Sequence, residues 1–326
     1  MKKLQLSFAC GLYDRMQPLY TGEVTPDGID LNFIAIDDAR AIFDRMAGCR
    51  EFDASEFSSS EFVQRFANRQ CPFVAIPVFP SRAFRMGYIA VNRKSGIRSP
   101  KDLEGKRVGV PLYTMTAAIF IKGLLQHEFG VDLSKIRWLQ GAMNQAGAHG
   151  SPTVLPLLKE VAIENNSSNK SLGQLLAAGE LDATLGAVLP DEIRTNPDVV
   201  RLFANYVEID SDIYRRTKIY PIMHLVAIRK EVYEKYPFVA TSLYDAFVKA
   251  KTSALTRMFN LGALPYMTPF LMREVDDIYR VFGGDPWPYG IEANRPTLEA
   301  LVCYQQDQGL IAAPVKVDDL FVPVYG

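Results

Sequence analysis

The chain is poor in the residues that usually mark a metal or redox centre. Its 326 residues include three histidines and four cysteines. His127, His149 and His224 are scattered, with no H-E-x-x-H or similar ligand spacing. Cys10, Cys49, Cys71 and Cys303 are far apart. Without a C-x-x-C they read as free thiols rather than zinc ligands or a disulfide framework. G-x-G-x-x-G, the P-loop and G-x-S-x-G are missing, which removes the common dinucleotide, nucleotide and hydrolase signatures. No metal and no organic cofactor is therefore expected. Charge is balanced, with 36 basic and 37 acidic residues and no basic block, which argues against a nucleic-acid partner. No apolar run approaches the roughly 20 residues that span a bilayer, so no membrane partner is expected. Internal repeats of solenoid period are also missing.

The N-terminus lacks a complete export signal. Met1-Lys2-Lys3 resembles a signal n-region, but Gln5 and Ser7 interrupt the run behind it. Asp14-Arg15 then arrives before any A-x-A-like site. Leu4, Leu6 and Phe8 alternate with polar residues, as a first strand does. The expected location is cytoplasmic.

What is present is an ordinary globular composition, 48% hydrophobic and 22% charged, in a chain long enough for two lobes. The organising stretch is Gly105–Phe129. Lys106–Val110 reads as a buried strand that Pro111 ends. A helical pattern then runs from the Thr114-Met115-Thr116 corner to Phe129, stopped by Gly130. A strand turning into a helix aims free N–H groups at whatever sits above the sheet edge. Such a corner suits an anion, with the Thr114 and Thr116 hydroxyls beside it, although simple capping is the plainer role.

Around this corner, strands are expected at Leu4–Ala9, Ile29–Ile36, Phe73–Phe79, Tyr88–Asn92, Ile136–Leu139, Asp182–Val188 and Tyr220–Arg229. Helices are expected at Asp37–Met46, from Glu56–Ser60 through Phe66, at Leu172–Ala178, from Glu231 to about Arg257, near Phe270–Val281 and over Arg295–Asp307. Val154–Glu164 fits neither pattern. The alternation means an α/β protein with mostly parallel sheets. A second α/β unit, residues 96–220, is read as inserted into a first made of 1–95 and 221–326. The cleft is expected between these lobes, at strand carboxyl ends and helix N-termini.

Several stretches carry a resemblance. The order of elements, with LAAGELDA closing the second unit, resembles the type II periplasmic-binding-protein fold. Tyr13-Asp14-Arg15, Phe73–Arg85 (FVAIPVFPSRAFR), Gly105–Ala117, Leu175–Ala183, Tyr220–His224 (YPIMH) and Pro288–Leu298 (PYGIEANRPTL) together resemble the 4,5-dihydroxyphthalate decarboxylase family. The resemblance implies a carboxy-lyase of hydroxylated aromatic acids in phthalate catabolism, acting without metal or organic cofactor on a small aromatic carboxylate. Homo-oligomerisation is left open. The other class on this scaffold is a non-catalytic solute-binding protein of the ABC-transporter type, since a fold alone does not fix chemistry.

Direct loss of carbon dioxide would leave an in-plane ring carbanion. A hydroxyl para to the leaving carboxylate offers another route. Deprotonating it pushes electron density to the carbon bearing the carboxylate, a general acid protonates that carbon, and carbon dioxide departs as aromaticity returns. The route needs cations for the carboxylates, an acid near the ring, and a base or acceptor near the hydroxyl. His224, in an apolar strand within YPIMH, is the first choice for general acid, with His149 as substitute and a packed core histidine as the bland alternative. His127 reads as lying on a solvated helix face. Arg82 and Arg85 follow an apolar strand, where an arginine fork can hold a carboxylate or close an ion pair. Arg82 and Glu56 complete the catalytic set. Glu56 is expected to start a helix and either face the cleft or complement the helix dipole. Tyr13, Arg15, Ser81, Arg85, Thr114, Met115, Thr116 and Glu292 are the expected substrate contacts. A Glu292–Arg295 ion pair is the competing reading for Glu292.

Overall fold

The computed structural model describes residues 2–324. The chain first lays down β1 (Leu4–Cys10), β2 (Ile29–Ala35), β3 (Ala54–Ser58) and β4 (Phe73–Arg82). It then builds a second sheet from β5 (Ile89–Asn92), β6 (Arg107–Val110), β7 (Arg137–Gln140), β8 (Ile163–Asn165), β9 (Ala183–Leu185) and β10 (Val199–Arg201). Finally it returns to the first sheet with β11 (Ile222–Arg229). The sheet orders are β2-β1-β3-β11-β4 and β10-β5-β9-β6-β7-β8.

The departures from parallel pairing follow from this route. β1, β2 and β3 run parallel, as do β6, β7, β8 and β9. β5 runs against β9 and β10, and β11 runs against β3 and β4. Each crossing strand enters its sheet from the end where the parallel strands finish, so it must run the other way. Both crossings thus deliver loops to the same inter-lobe edge. β5 already belongs to the second sheet, so the chain enters that sheet ahead of residue 96.

The helices before the second crossing are α1 (Gln17–Tyr20), α2 (Ala39–Cys49), α3 (Ser59–Ala67), α4 (Thr116–Phe129), α5 (Leu172–Ala177) and α6 (Tyr206–Thr217). After it come α7 (Lys230–Lys235), α8 (Phe238–Met258), α9 (Leu271–Phe282) and α10 (Arg295–Asp307). The helix expected over 231–257 is therefore two. Pro237 disfavours α geometry at the residue before it, and Tyr236 sits at φ −136°, ψ 69°. The stretch 154–164 is largely irregular and contributes only the start of β8.

The core follows the apolar pattern. β11, IMHLVAIR, is a central strand buried nearly throughout, which its continuous apolar run anticipates. In α4 every residue from Thr116 to Leu125 is buried. A helix apolar all round must be covered all round. α10 covers one side, and Gly123 lets it approach: a Cβ there would lie 2.2 Å from the Tyr304 ring.

Glu56 does not open a helix. It lies inside β3, and α3 starts at Ser59 with Ser58 as its cap, the Ser58 side chain accepting from the Glu61 N–H. Ser58-x-x-Glu61 is a capping-box pattern, and it outweighs the acidic residue upstream.

Candidate active site

A carboxylate in a central strand must be fully satisfied or it destabilises the fold. Glu56 is 0% exposed and accepts from four donors. The Gly11 N–H and the Cys10 thiol reach Oε2 at 3.0 and 3.3 Å. The Tyr13 hydroxyl and His224 Nδ1 reach Oε1 at 2.8 and 2.5 Å. Burial alone would raise the Glu56 carboxyl. The His224 charge and hydrogen bond, the Gly11 N–H and the Tyr13 hydroxyl outweigh it and hold the group below its ordinary range. Burial, then the Glu56 charge, pushes Tyr13 and Cys10 far up, so both remain protonated donors.

The carboxylate fixes the imidazole in turn. His224 Nδ1 is committed to Glu56, and Phe43 of α2 packs edge-on against the ring at 4.8 Å. The side chain is 18% exposed, and among the described residues nothing bonds Nε2. On the strand ladders His224 stands between Ser58 of β3 and Ser81 of β4. The result is an oriented imidazole with one nitrogen free, on a strand flanked by serines at the same register.

Ser58 also joins this pair to the corner that opens the second lobe. Its hydroxyl lies 3.1 Å from that of Thr116, which accepts from the Ser60 N–H at 3.1 Å. The Ser60 hydroxyl donates to the Thr114 carbonyl at 2.9 Å. The N-termini of α3 and α4, one from each lobe, thus meet within two residues of Ser58. Met115 caps α4 through its backbone alone. The Ser59 and Thr114 hydroxyls are buried and have no hydrogen-bond partner. Two helix N-termini with spare hydroxyls favour a bound anion.

Tyr13, Glu56, Ser81, Thr114, Met115, Thr116 and His224 therefore form one connected neighbourhood. Arg15 adjoins it. Its guanidinium lies 4.4 Å from the Tyr13 ring and 4.2 Å from the Trp287 ring, and Nε donates to the Pro80 carbonyl at 2.7 Å. Arg15 and Trp287 also line a cavity of about 470 Å³ with Tyr220, Asp210 and Phe282. Burial lifts the Asp210 carboxyl there to about 7. Glu56 and His224 are not in that wall.

The other predicted residues lie elsewhere. Arg82 is 7% exposed and donates to Asn294 Oδ1 at 2.7 Å and the Tyr220 carbonyl at 2.9 Å. It pins the YGIEANR loop to the FPSRAFR and YPIMH strands. Arg85 donates to Met223 Sδ and the Ala187 carbonyl. Burial lowers both guanidinium groups to about 10, so both stay charged at neutral pH. Glu292 pairs with Arg295 on the surface, with 83% of its side chain exposed. His149 lies by Arg40, where burial and then the Arg40 charge disfavour its protonated form. Cys10, Gly11, Ser58, Ser59 and Ser60 were not singled out from the sequence. The Ser-Ser-Ser-Glu run at the end of β3 is the available signal for the last three.

Comparison with known proteins gives the geometry a family. The chain is 36% identical over 324 residues to a 4,5-dihydroxyphthalate decarboxylase of Comamonas testosteroni, covering 99% of this chain and 98% of that one. The chain belongs to the 4,5-dihydroxyphthalate decarboxylase family. A protein of the same name from Pseudomonas putida is 38% identical over 216 residues, covering 66% of this chain and 83% of the relative. Residues 79–151 match the NMT1/THI5-like family model. The fold is that of periplasmic binding proteins. The aliphatic sulphonate-binding protein SsuA of Escherichia coli superposes with a TM-score of 0.54 at 11% identity, over 98% of this chain and 97% of that one. The alkanesulfonate-binding protein SsuA of Xanthomonas axonopodis pv. citri, bound to MOPS, gives 0.53 at 10% identity, over 99% of both chains. In this family, then, an enzyme is built on a receptor scaffold. No helix among the described residues is long and apolar enough to cross a membrane.

Proposed function

We propose that the protein decarboxylates 4,5-dihydroxyphthalate or a close hydroxylated benzoate, with His224 as the general acid. The observation that carries this reading is the Glu56–His224 pair, with Nδ1 held by a buried carboxylate and Nε2 free. As electron density moves from the para hydroxyl into the ring, the proton on Nε2 passes to the carbon bearing the leaving carboxylate. The carbon–carboxylate bond then breaks, its electron pair restores aromaticity, and carbon dioxide leaves. Glu56 keeps a proton on Nδ1, so the imidazole donates from Nε2 as imidazolium. The neighbouring carboxylate is held by the N-termini of α3 and α4 and the spare Ser59 and Thr114 hydroxyls. Arg82 and Arg85 act through the packing of strands and loops, not on the substrate.

A receptor needs no proton donor, and a buried carboxylate that orients an imidazole with Nε2 free favours the enzyme. Metal-stripped protein incubated with 4,5-dihydroxyphthalate should release one carbon dioxide per protocatechuate formed. Tight binding without turnover would make it a solute-binding protein instead.

A further inference from the structure

One cluster of ligating side chains lies outside the chemistry above. His127, near the end of α4, faces Cys303 and Asp307 of α10, and the ligand atoms of all three lie within 4.8 Å of one another. His127 Nε2 is 2.8 Å from Asp307 Oδ2, and Cys303 Sγ is 3.7 Å from the same oxygen. Cys303 and Asp307 are one helical turn apart, so they share a face. Tetrahedral bonds of about 2.0–2.3 Å place donor atoms roughly 3.3–3.7 Å apart. The Cys303–Asp307 spacing already fits, the His127–Asp307 contact needs to open by about half an ångström, and His127 and Cys303, within 4.8 Å, need to close by about 1 Å at most.

The frame behind these groups is firm. The His127 ring rests on Tyr304 at 5.0 Å, and Tyr304 packs against the backbone at Gly123. The groups are also accessible, with His127 38% and Asp307 32% exposed.

We propose that His127, Cys303 and Asp307 bind a zinc-class divalent cation, with the fourth position left to water. On binding, the Cys303 thiol proton passes to solvent as the sulfur–metal bond forms, the His127 proton moves through solvent from Nε2 to Nδ1 to free the Nε2 lone pair, and two metal bonds replace the His127–Asp307 hydrogen bond. A thiolate and an imidazole select zinc or cobalt over magnesium or calcium, which prefer oxygen donors. The ion is separate from the proton transfer: at 1.5 Å per residue, His127 is about 16 Å along α4 from Thr116. Its effect is to tie the lobes together. α4 is the crossover between β6 and β7, whereas the chain beyond α10 docks Phe321 beside Ala75 of the first sheet.

The test is a titration of the metal-free, full-length protein with Co²⁺, followed by Zn²⁺. One equivalent of Co²⁺ should give a thiolate-to-metal charge-transfer band in the near ultraviolet, Zn²⁺ should displace it, and Zn²⁺ should raise Tm. Cys303→Ser should abolish the band, and His127→Gln should weaken Zn²⁺ binding roughly tenfold or more. Co²⁺ binding without that band would overturn the proposal. So would unchanged Zn²⁺ affinity in Cys303→Ser and Asp307→Asn, or a Tm rise with Mg²⁺ equal to that with Zn²⁺. All three side chains are partly exposed, so these substitutions leave the core in place.

Discussion

Replacing Glu56 by glutamine tests the catalytic proposal most sharply, because it keeps the shape and removes one property. All four partners of the carboxylate, Gly11 N–H, the Cys10 thiol, the Tyr13 hydroxyl and His224 Nδ1, act as donors. Glutamine offers one oxygen and one NH₂. The Gly11 N–H cannot rotate away, so the oxygen stays with it and the NH₂ turns towards His224. Nδ1 must then accept, and the doubly protonated imidazole loses its partner. A charge-assisted hydrogen bond of this kind is worth about 1.5–3 kcal/mol. That corresponds to a roughly 10- to 160-fold fall in kcat/KM at 1.36 kcal/mol per decade. Steady-state carbon dioxide release from 4,5-dihydroxyphthalate measures it, and the loss should appear in kcat with KM little changed. Stability should move as well. A carboxyl held below its ordinary range contributes stability above its unfolded value, about 4.3, and that contribution fades as pH falls through the lower folded value. The Tm gap between the native chain and Glu56→Gln should thus be widest near neutral pH and close in acid. Unchanged kcat/KM together with a Tm gap indifferent to pH would refute the argument.

Other substitutions separate chemistry from packing. His224→Asn should lower kcat by about 10²- to 10⁴-fold while substrate binding, followed by calorimetry, persists. Arg82→Met leaves Asn294 Oδ1 and the Tyr220 carbonyl without their donor. It should destabilise the fold by about 2–4 kcal/mol in urea unfolding, whereas a raised KM at unchanged stability would return Arg82 to the substrate. Gly123→Ala drives a methyl into the Tyr304 ring and should cost about 1–3 kcal/mol, read as a lower Tm.

How much was legible depends on what decides each position. β1, β6, α4 and β11 show in the residue pattern because burial alone sets them. The antiparallel crossings do not, since they follow from where the chain re-enters a sheet. Glu56 suggests itself for the wrong local reason: an acidic residue near a helix start resembles a dipole partner, and only the pairing of β3 with β11 reveals its hydrogen bond to His224. Arg82 is the opposite case. Arginine after a strand suits a ligand carboxylate, but its partners, Tyr220 and Asn294, are 138 and 212 positions away and invisible to local reading. Ser58–Ser60 were overlooked because serine carries no distinctive charge, although their spacing to Glu61 marks the cap.

Where the N-terminus of α3 meets that of α4, the polar contacts run through the hydroxyls of Ser58, Ser60 and Thr116 rather than through ion pairs. Each of these groups hydrogen-bonds as readily to water as to its opposite number. Exchanging these particular bonds for water, to admit a diacid or to let carbon dioxide out, therefore has a small net cost. Added electrolyte should scarcely alter how often that happens.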